Sequence, residues 1–140
     1  MTDTTPKPKT PCRFCNRAHP NVQETDEGAM ARRDGHPVTP GHTLIIPLRH
    51  VASYGDLTEE EILACHTVMN RVRARLQTED PTIEGFNIGI NDGKVAGQSI
   101  FHVHMHLIPR RKGDVEDPRG GVRHLIPGKG YYHDKVKDKP

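Results

Sequence analysis

Apolar and polar positions alternate along residues 101 to 108, Phe-His-Val-His-Met-His-Leu-Ile, and a period of two is the pattern of a half-buried β-strand. On such a strand Phe101, Val103, Met105 and Leu107 point into a core. His102, His104 and His106 then share the opposite face, about 6.5–7 Å from one to the next. Phe86, Ile88 and Ile90 alternate in the same way within GFNIGIN, and Gly41 to Pro47, GHTLIIP, reads as a strand punctuated at both ends. Between these segments the period becomes that of a helix. Thr58 and Glu61 form a capping box, and Ile62, Cys65, Met69, Val72 and Leu76 follow at spacings of three and four, with Glu60, Arg71 and Arg75 on the opposite face. The loop NDGKVAGQS leads into the histidine segment, which predicts an antiparallel pair whose connection lies beside the imidazoles. All predicted strands fall after Pro40.

At the ends the periodicity disappears. Residues 1–11, rich in Thr, Pro and Lys, are expected to be disordered; an ordered domain is expected over residues 12–114. Residues 115–140 form a basic, Gly- and Pro-rich tail, read as solvated, with reach over a polyphosphate as the alternative.

Composition changes this picture in two ways. At 140 residues, 33% apolar and 4% aromatic with no Trp, one domain has a lean core, so a metal site or a dimer interface is expected to add stability. The net charge of +2, from 20 basic and 18 acidic residues interspersed, argues against duplex nucleic acid or a membrane as the main partner. The first eleven residues lack the apolar stretch of a signal peptide, and a cytoplasmic location is expected.

Three imidazoles of ordinary pKa near 6.5 can act at neutral pH as nucleophile, acid and base, or metal ligands. The glycines of NDGKVAGQS allow backbone N–H groups to approach a phosphate closely, although such loops are often only turns. Cys12 and Cys15 stand at CxxC spacing, which suits zinc or a redox dithiol; no thioredoxin-like βαβ surrounds them, which favours zinc. Cys65 lies on the apolar helix stripe and reads as core packing.

Cys12-Arg13-Phe14-Cys15, Asp34, PGHTLIIPLRH from Pro40 to His50, Asn91-Asp92-Gly93 and AGQSIFHVHMHLIPR from Ala96 to Arg110 together resemble the histidine-triad (HIT) family of nucleotide hydrolases and transferases. The resemblance implies an α+β, HIT-like fold, an antiparallel sheet with a long helix packed on one side, paired as a homodimer. It implies that His104 attacks the α-phosphorus of a purine nucleotide to give a nucleotidyl-histidine, that His106 assists the leaving group, and that His42 supports them. It places Asn91, Gln98 and Ser99 on the α-phosphate and Asp34 on the ribose hydroxyls, while Arg32 and Arg33 depart from the apolar strand expected before Asp34. It implies a structural zinc on Cys12, Cys15, His50 and His102, and no catalytic metal. The substrates would be dinucleoside polyphosphates or nucleoside phosphoramidates. Two other readings stay open: a catalytic metal on His102, His104 and His106, and a nucleotide- or partner-binding module without turnover.

Overall fold

The computed structural model describes residues 12–132, so the expectations for residues 1–11 and 133–140 lie outside it. Five strands, β1 (Val22–Thr25), β2 (Ala29–Arg33), β3 (Thr43–Pro47), β4 (Ile83–Ile90) and β5 (Met105–Arg111), form one antiparallel sheet in the order β1-β2-β3-β5-β4. The single long helix, α1 (Glu59–Glu79), covers one face. This is the α+β, HIT-like architecture the sequence implied.

Helix α1 starts where the capping box predicts. Thr58 Oγ1 accepts from the Glu61 amide at 3.1 Å, and the Glu61 carboxylate accepts from the Thr58 amide at 3.0 Å. Such a cap contributes about 1 kcal/mol. Arg49 grips the same carboxylate through Nε and Nη2, at 3.0 and 2.7 Å. Cys65, Val68, Met69, Val72 and Leu76 bury the apolar stripe against Ala29, Ala31, Ile45, Met105 and Leu107. Ile62, expected on that stripe, is instead exposed; the fully buried part of the stripe begins at Cys65. Arg71 and Arg75, on the opposite face as expected, bind Asp26 and Glu24, at 2.7 and 2.9 Å, and tie α1 to the β1 edge.

Periodicity along the chain marks neither β1 nor β2; only the resemblance implied an apolar strand before Asp34, where β2 lies. The reason is visible in β2, where Ala29, Met30 and Ala31 are all fully buried: α1 packs on one face and a second cluster of Phe14, Leu44 and Ile46 on the other, so no alternation marks the strand. Arg32 and Arg33 end it without breaking the fold. The Arg32 guanidinium lies over the Phe14 ring, and Arg33 Nη1 donates to Gly41 O and Thr43 Oγ1, both at 2.9 Å.

The histidine segment is only half strand. β5 begins at Met105, and residues 101 to 104 follow an irregular path in which the Val103 amide donates to Val51 O at 2.7 Å. Val103, Met105 and Leu107 are buried as expected, but Phe101 is 49% exposed. In β4, Phe86 and Ile90 pack on the core while Ile88 is exposed, since β4 is an edge strand.

Candidate functional site

Because residues 102 to 104 leave the strand path, the three imidazoles do not form one row; each ring has a different partner. His104 Nδ1 lies 2.9 Å from the carbonyl oxygen of His102, so Nδ1 carries the proton and Nε2 keeps a free lone pair. His42 Nδ1 accepts from the Val38 amide at 3.2 Å, which puts the His42 proton on Nε2. That proton is donated to His106 Nδ1, 2.9 Å away, and the His106 proton therefore sits on Nε2. One imidazole offers a lone pair and its neighbour a proton, with ring centres 5.2 Å apart. Burial pushes the His106 pKa down to about 4, with His104 and His42 adding to the effect. Burial also lowers that of His42, and the Asp34 carboxylate, whose Oδ2 is 3.5 Å from His42 Nε2, partly opposes it.

His42, His106 and Asn91 border a cavity of about 700 Å³, a size usual for small-molecule sites. Residues of the expected tail form its far wall, among them Val122, His124, Leu125 and Tyr131. That stretch is tied down rather than loose. His124 stacks edge-on with Tyr131 at 4.4 Å, and Tyr131 Oη donates to Asp117 O at 3.0 Å. Gly130 passes so near the His124 ring that any Cβ there would overlap it. At the cavity's other side Arg110 is held by both Asp114 oxygens, at 2.7 and 2.8 Å, and by Asn87 Oδ1 at 2.6 Å.

The loop between β4 and β5 turns at Gly93 and Gly97, with φ of +98° and +96°. Gln98, assigned to phosphate by resemblance, is buried and spends its side chain on the loop: Oε1 accepts from the Gly93 amide at 2.8 Å, and Nε2 donates to Ala52 O and Ile100 O at 2.8 and 3.1 Å. Both amide protons are used, so Gln98 shapes the loop. Ser99 is exposed.

The fourth assembly joins Cys12, Cys15, His50 and His102, whose donor atoms all lie within 4.8 Å of one another. Cys15 Sγ is 3.3 Å from His50 Nδ1; His102 Nδ1 is 3.6 Å from each sulfur and 3.3 Å from His50 Nδ1. Zinc–nitrogen bonds of about 2.0–2.1 Å and zinc–sulfur bonds of about 2.3 Å give tetrahedral edges of about 3.3–3.8 Å, and the four donors fit. His102 Nε2 donates to Pro47 O at 2.7 Å, which leaves Nδ1 unprotonated toward the centre. Asp34, His42 and His106 make a second such cluster, accounted for by the His42–His106 hydrogen bond.

Comparison with known proteins bears on this arrangement. The HIT domain model matches residues 17–113. The chain belongs to the HIT domain family. It is similar to a Zn-bound histidine triad family protein of Mycobacterium smegmatis, with 38% identity and a TM-score of 0.65 over 74% of this chain and 78% of that one. Among curated relatives it shares 41% identity over 81 residues with the asymmetrical bis(5'-nucleosyl)-tetraphosphatase of Schizosaccharomyces pombe, covering 58% of this chain and 44% of the relative. It shares 40% over 93 residues with the bis(5'-adenosyl)-triphosphatase of Dictyostelium discoideum, covering 66% and 62%.

In this HIT protein the CxxC turn and the 115–132 wall lie outside the matched domain. For the wall the sequence offered only its basic, Gly- and Pro-rich composition, read as solvated with reach over a polyphosphate as the alternative; the carbonyls of Pro47 and His102 and the Val38 amide gave no signal at all. The reading of His102, His104 and His106 as ligands of one catalytic metal fails on geometry: His102 Nδ1 turns to the cysteines, His104 Nδ1 to a carbonyl and His106 Nδ1 to His42. Among the described residues, no helix is long and apolar enough to cross a membrane.

The His42–His106 pair, one ring buried and the other partly so, also fixes a pH dependence. Both rings have folded pKa values below the unfolded value of about 6.5, so between about pH 6.5 and 4 the unfolded chain binds more protons than the folded one. The stability linked to the neutral pair is present above about pH 6.5 and drains away as pH falls toward 4. Urea midpoints measured at saturating zinc should fall over that window, and fall less in a His42→Asn/His106→Asn double variant. Parallel losses in both proteins would show that the pair is not the titrating element.

Proposed function

We propose that this protein hydrolyses nucleotides at the α-phosphate through a nucleotidyl-histidine. His104 Nε2 attacks the α-phosphorus while the bond to the leaving oxygen or nitrogen breaks, and His106 Nε2–H gives that atom its proton. Water then attacks phosphorus, His106 Nε2 takes the water proton, and His104 departs with its lone pair restored. The observation that carries this reading is the tautomer pair: His104 Nδ1–H bonded to His102 O beside a His106 whose proton faces outward. The nucleotide hydrolases named among the relatives support it.

Asn91 and the N–H groups of the 93–99 loop would bind the α-phosphate, with Gln98 holding that loop and Ser99 at its rim. Asp34 would serve the ribose of a purine nucleoside. Zinc on Cys12, Cys15, His50 and His102 would be structural, with no catalytic metal. A cytoplasmic homodimer is part of the same reading, and exposed Ile88 on edge strand β4 supports the pairing.

The relatives' names favour a dinucleoside polyphosphate, whereas a leaving group seated in the cavity beside His106 would be one of little charge. Arg110 is the one Arg or Lys among the described residues lining it, and its guanidinium is already engaged by Asp114 and Asn87. A polyphosphate entering there would find no open cation among the described lining residues, which supports a nucleoside phosphoramidate as the substrate. The test is mass spectrometry of protein quenched seconds after mixing with AMP-morpholidate or with diadenosine tetraphosphate. An added AMP mass, followed by released AMP and a higher kcat/KM for the morpholidate, is the expected result. A faster reaction with the tetraphosphate would reverse the choice of leaving group; AMP binding without turnover of either compound would favour a binding module.

A further inference from the structure

The Cys12–Cys15 turn does more than bring two thiols together. Its residues Arg13–Cys15 form a single 3-10 turn that drives Phe14 inward, to 5% exposure, while Arg13 and Cys15 stay outside. The Phe14 ring meets the His104 ring edge-on, with centres 4.9 Å apart and planes at 76°, and the His102 ring at 6.5 Å. Arg32, itself only 7% exposed, lays its guanidinium over Phe14 at 5.2 Å and donates from Nη1 to Arg13 O at 2.8 Å. Phe14 is therefore fixed on three sides: by the two cysteines that flank it, by Arg32, and by Met30, Leu44 and Ile46 beneath.

His104 needs such a wall. Its Nδ1 hydrogen bond to His102 O sets the tautomer, and the His106 ring meets it edge-on with centres 5.2 Å apart, but neither contact by itself stops the ring rocking about Nδ1. A rocking ring swings Nε2 across an arc, and small misplacements of a reacting atom cost much rate. The Phe14 ring, edge-on at 4.9 Å, adds a further constraint to the hydrogen bond and the His106 contact.

We propose that Phe14 is a positioning residue for His104, held in place by the metal-closed Cys12–Cys15 turn. The proposal rests on the reading of His104 as the nucleophile. The metal cluster then reaches His104 by two routes, the His102 carbonyl and the Phe14 ring, and the turn couples metal occupancy to the aim of the nucleophile.

The experiment uses the full zinc-loaded chain with Phe14→Leu, which removes the ring at similar volume, and Phe14→Tyr, which keeps it. Phe14→Met replaces the first variant should that one fail to fold. Zinc content, the single-turnover rate of nucleotidyl-enzyme formation at saturating AMP-morpholidate, KM, and the ¹⁵N signature of the His104 tautomer without substrate are read in each. Expected for Phe14→Leu are one zinc per chain, a rate lower by about tenfold or more, KM changed by less than about threefold, and a His104 signal shifted toward a tautomer mixture. Phe14→Tyr should return the rate to within about threefold of wild type. A lower melting temperature with unchanged rate and unchanged tautomer would make Phe14 a core filler and overturn the proposal. Should wild type itself form no nucleotidyl adduct, the His104 reading fails, and the tautomer signal alone still decides whether Phe14 orients the ring.

Discussion

His104→Ala is expected to abolish the nucleotidyl adduct and slow turnover by about 10⁴-fold or more, while one zinc per chain and the melting temperature are kept. The three parts follow from separate contacts. The adduct is lost because the free Nε2 lone pair is lost, and the His106 proton alone makes no bond to phosphorus. Zinc stays because the four donors of the metal cluster are Cys12, Cys15, His50 and His102, none of them on His104. Folding stays because the His104 ring is only partly buried and its hydrogen bond to His102 O is one the carbonyl can replace with water. Steady-state assays on AMP-morpholidate, intact-mass spectra and metal analysis check all three. An alanine variant that loses its metal, or that still turns over at near wild-type rate, would end the nucleotidyl-histidine reading.

Removing zinc should produce the largest loss of stability. The cluster ties the turn at residues 12–15 to His50, just beyond β3, and to His102, just before β5, so four donors close loops of 35 and 52 residues on one point. A ligand held at about a thousand times its Kd adds about 4 kcal/mol to a fold that binds it only when native. For a domain of this size that corresponds to a melting temperature lower by on the order of 10 °C after chelation. Without metal, Cys12 and Cys15 no longer anchor Phe14, and the cluster of Phe14, Met30, Leu44 and Ile46 loses its cover. Cys65 should stay unmodified by an alkylating agent throughout the native range, since it is fully buried on the inner face of α1 and its pKa is raised to about 11, mainly by burial. Protein purified without chelator that carries far less than one zinc per chain, and melts at the same temperature with and without EDTA, would remove the metal from the account.

Much of the site was legible because its residues carry their chemistry in their identity. Cys12 and Cys15 at CxxC spacing, and histidines at 42, 50, 102, 104 and 106, could be assigned roles by spacing and resemblance before any coordinates, and the structure groups Cys12, Cys15, His50 and His102 together. The capping box at Thr58 and Glu61 was equally plain, since both partners lie within one turn. Strand β2 was not, because burial on both faces erases the alternation that marks a strand. The histidine segment misled for the opposite reason: alternation persisted across residues 101 to 104, where the backbone leaves the sheet so that His102 can reach Pro47 O and the cysteines.

The amino-acid sequence by itself therefore determined the chemistry available to this protein: an imidazole-rich segment, a thiol pair, a glycine loop, a capped amphipathic helix and the HIT family to which they belong. These are local facts, set by residue type and by spacings of two, three and four. The tertiary structure decided which nitrogen of each imidazole is free, because that depends on hydrogen bonds with the Val38 amide and the Pro47 and His102 carbonyls, backbone groups that look alike in every sequence. It also decided that residues 115–132 wall the cavity beside His106, and that Phe14 stands against His104 across 90 residues of chain. Contacts of that separation arise only when the sheet and the Cys12–Cys15 turn bring distant segments together, and no periodicity along the chain records them.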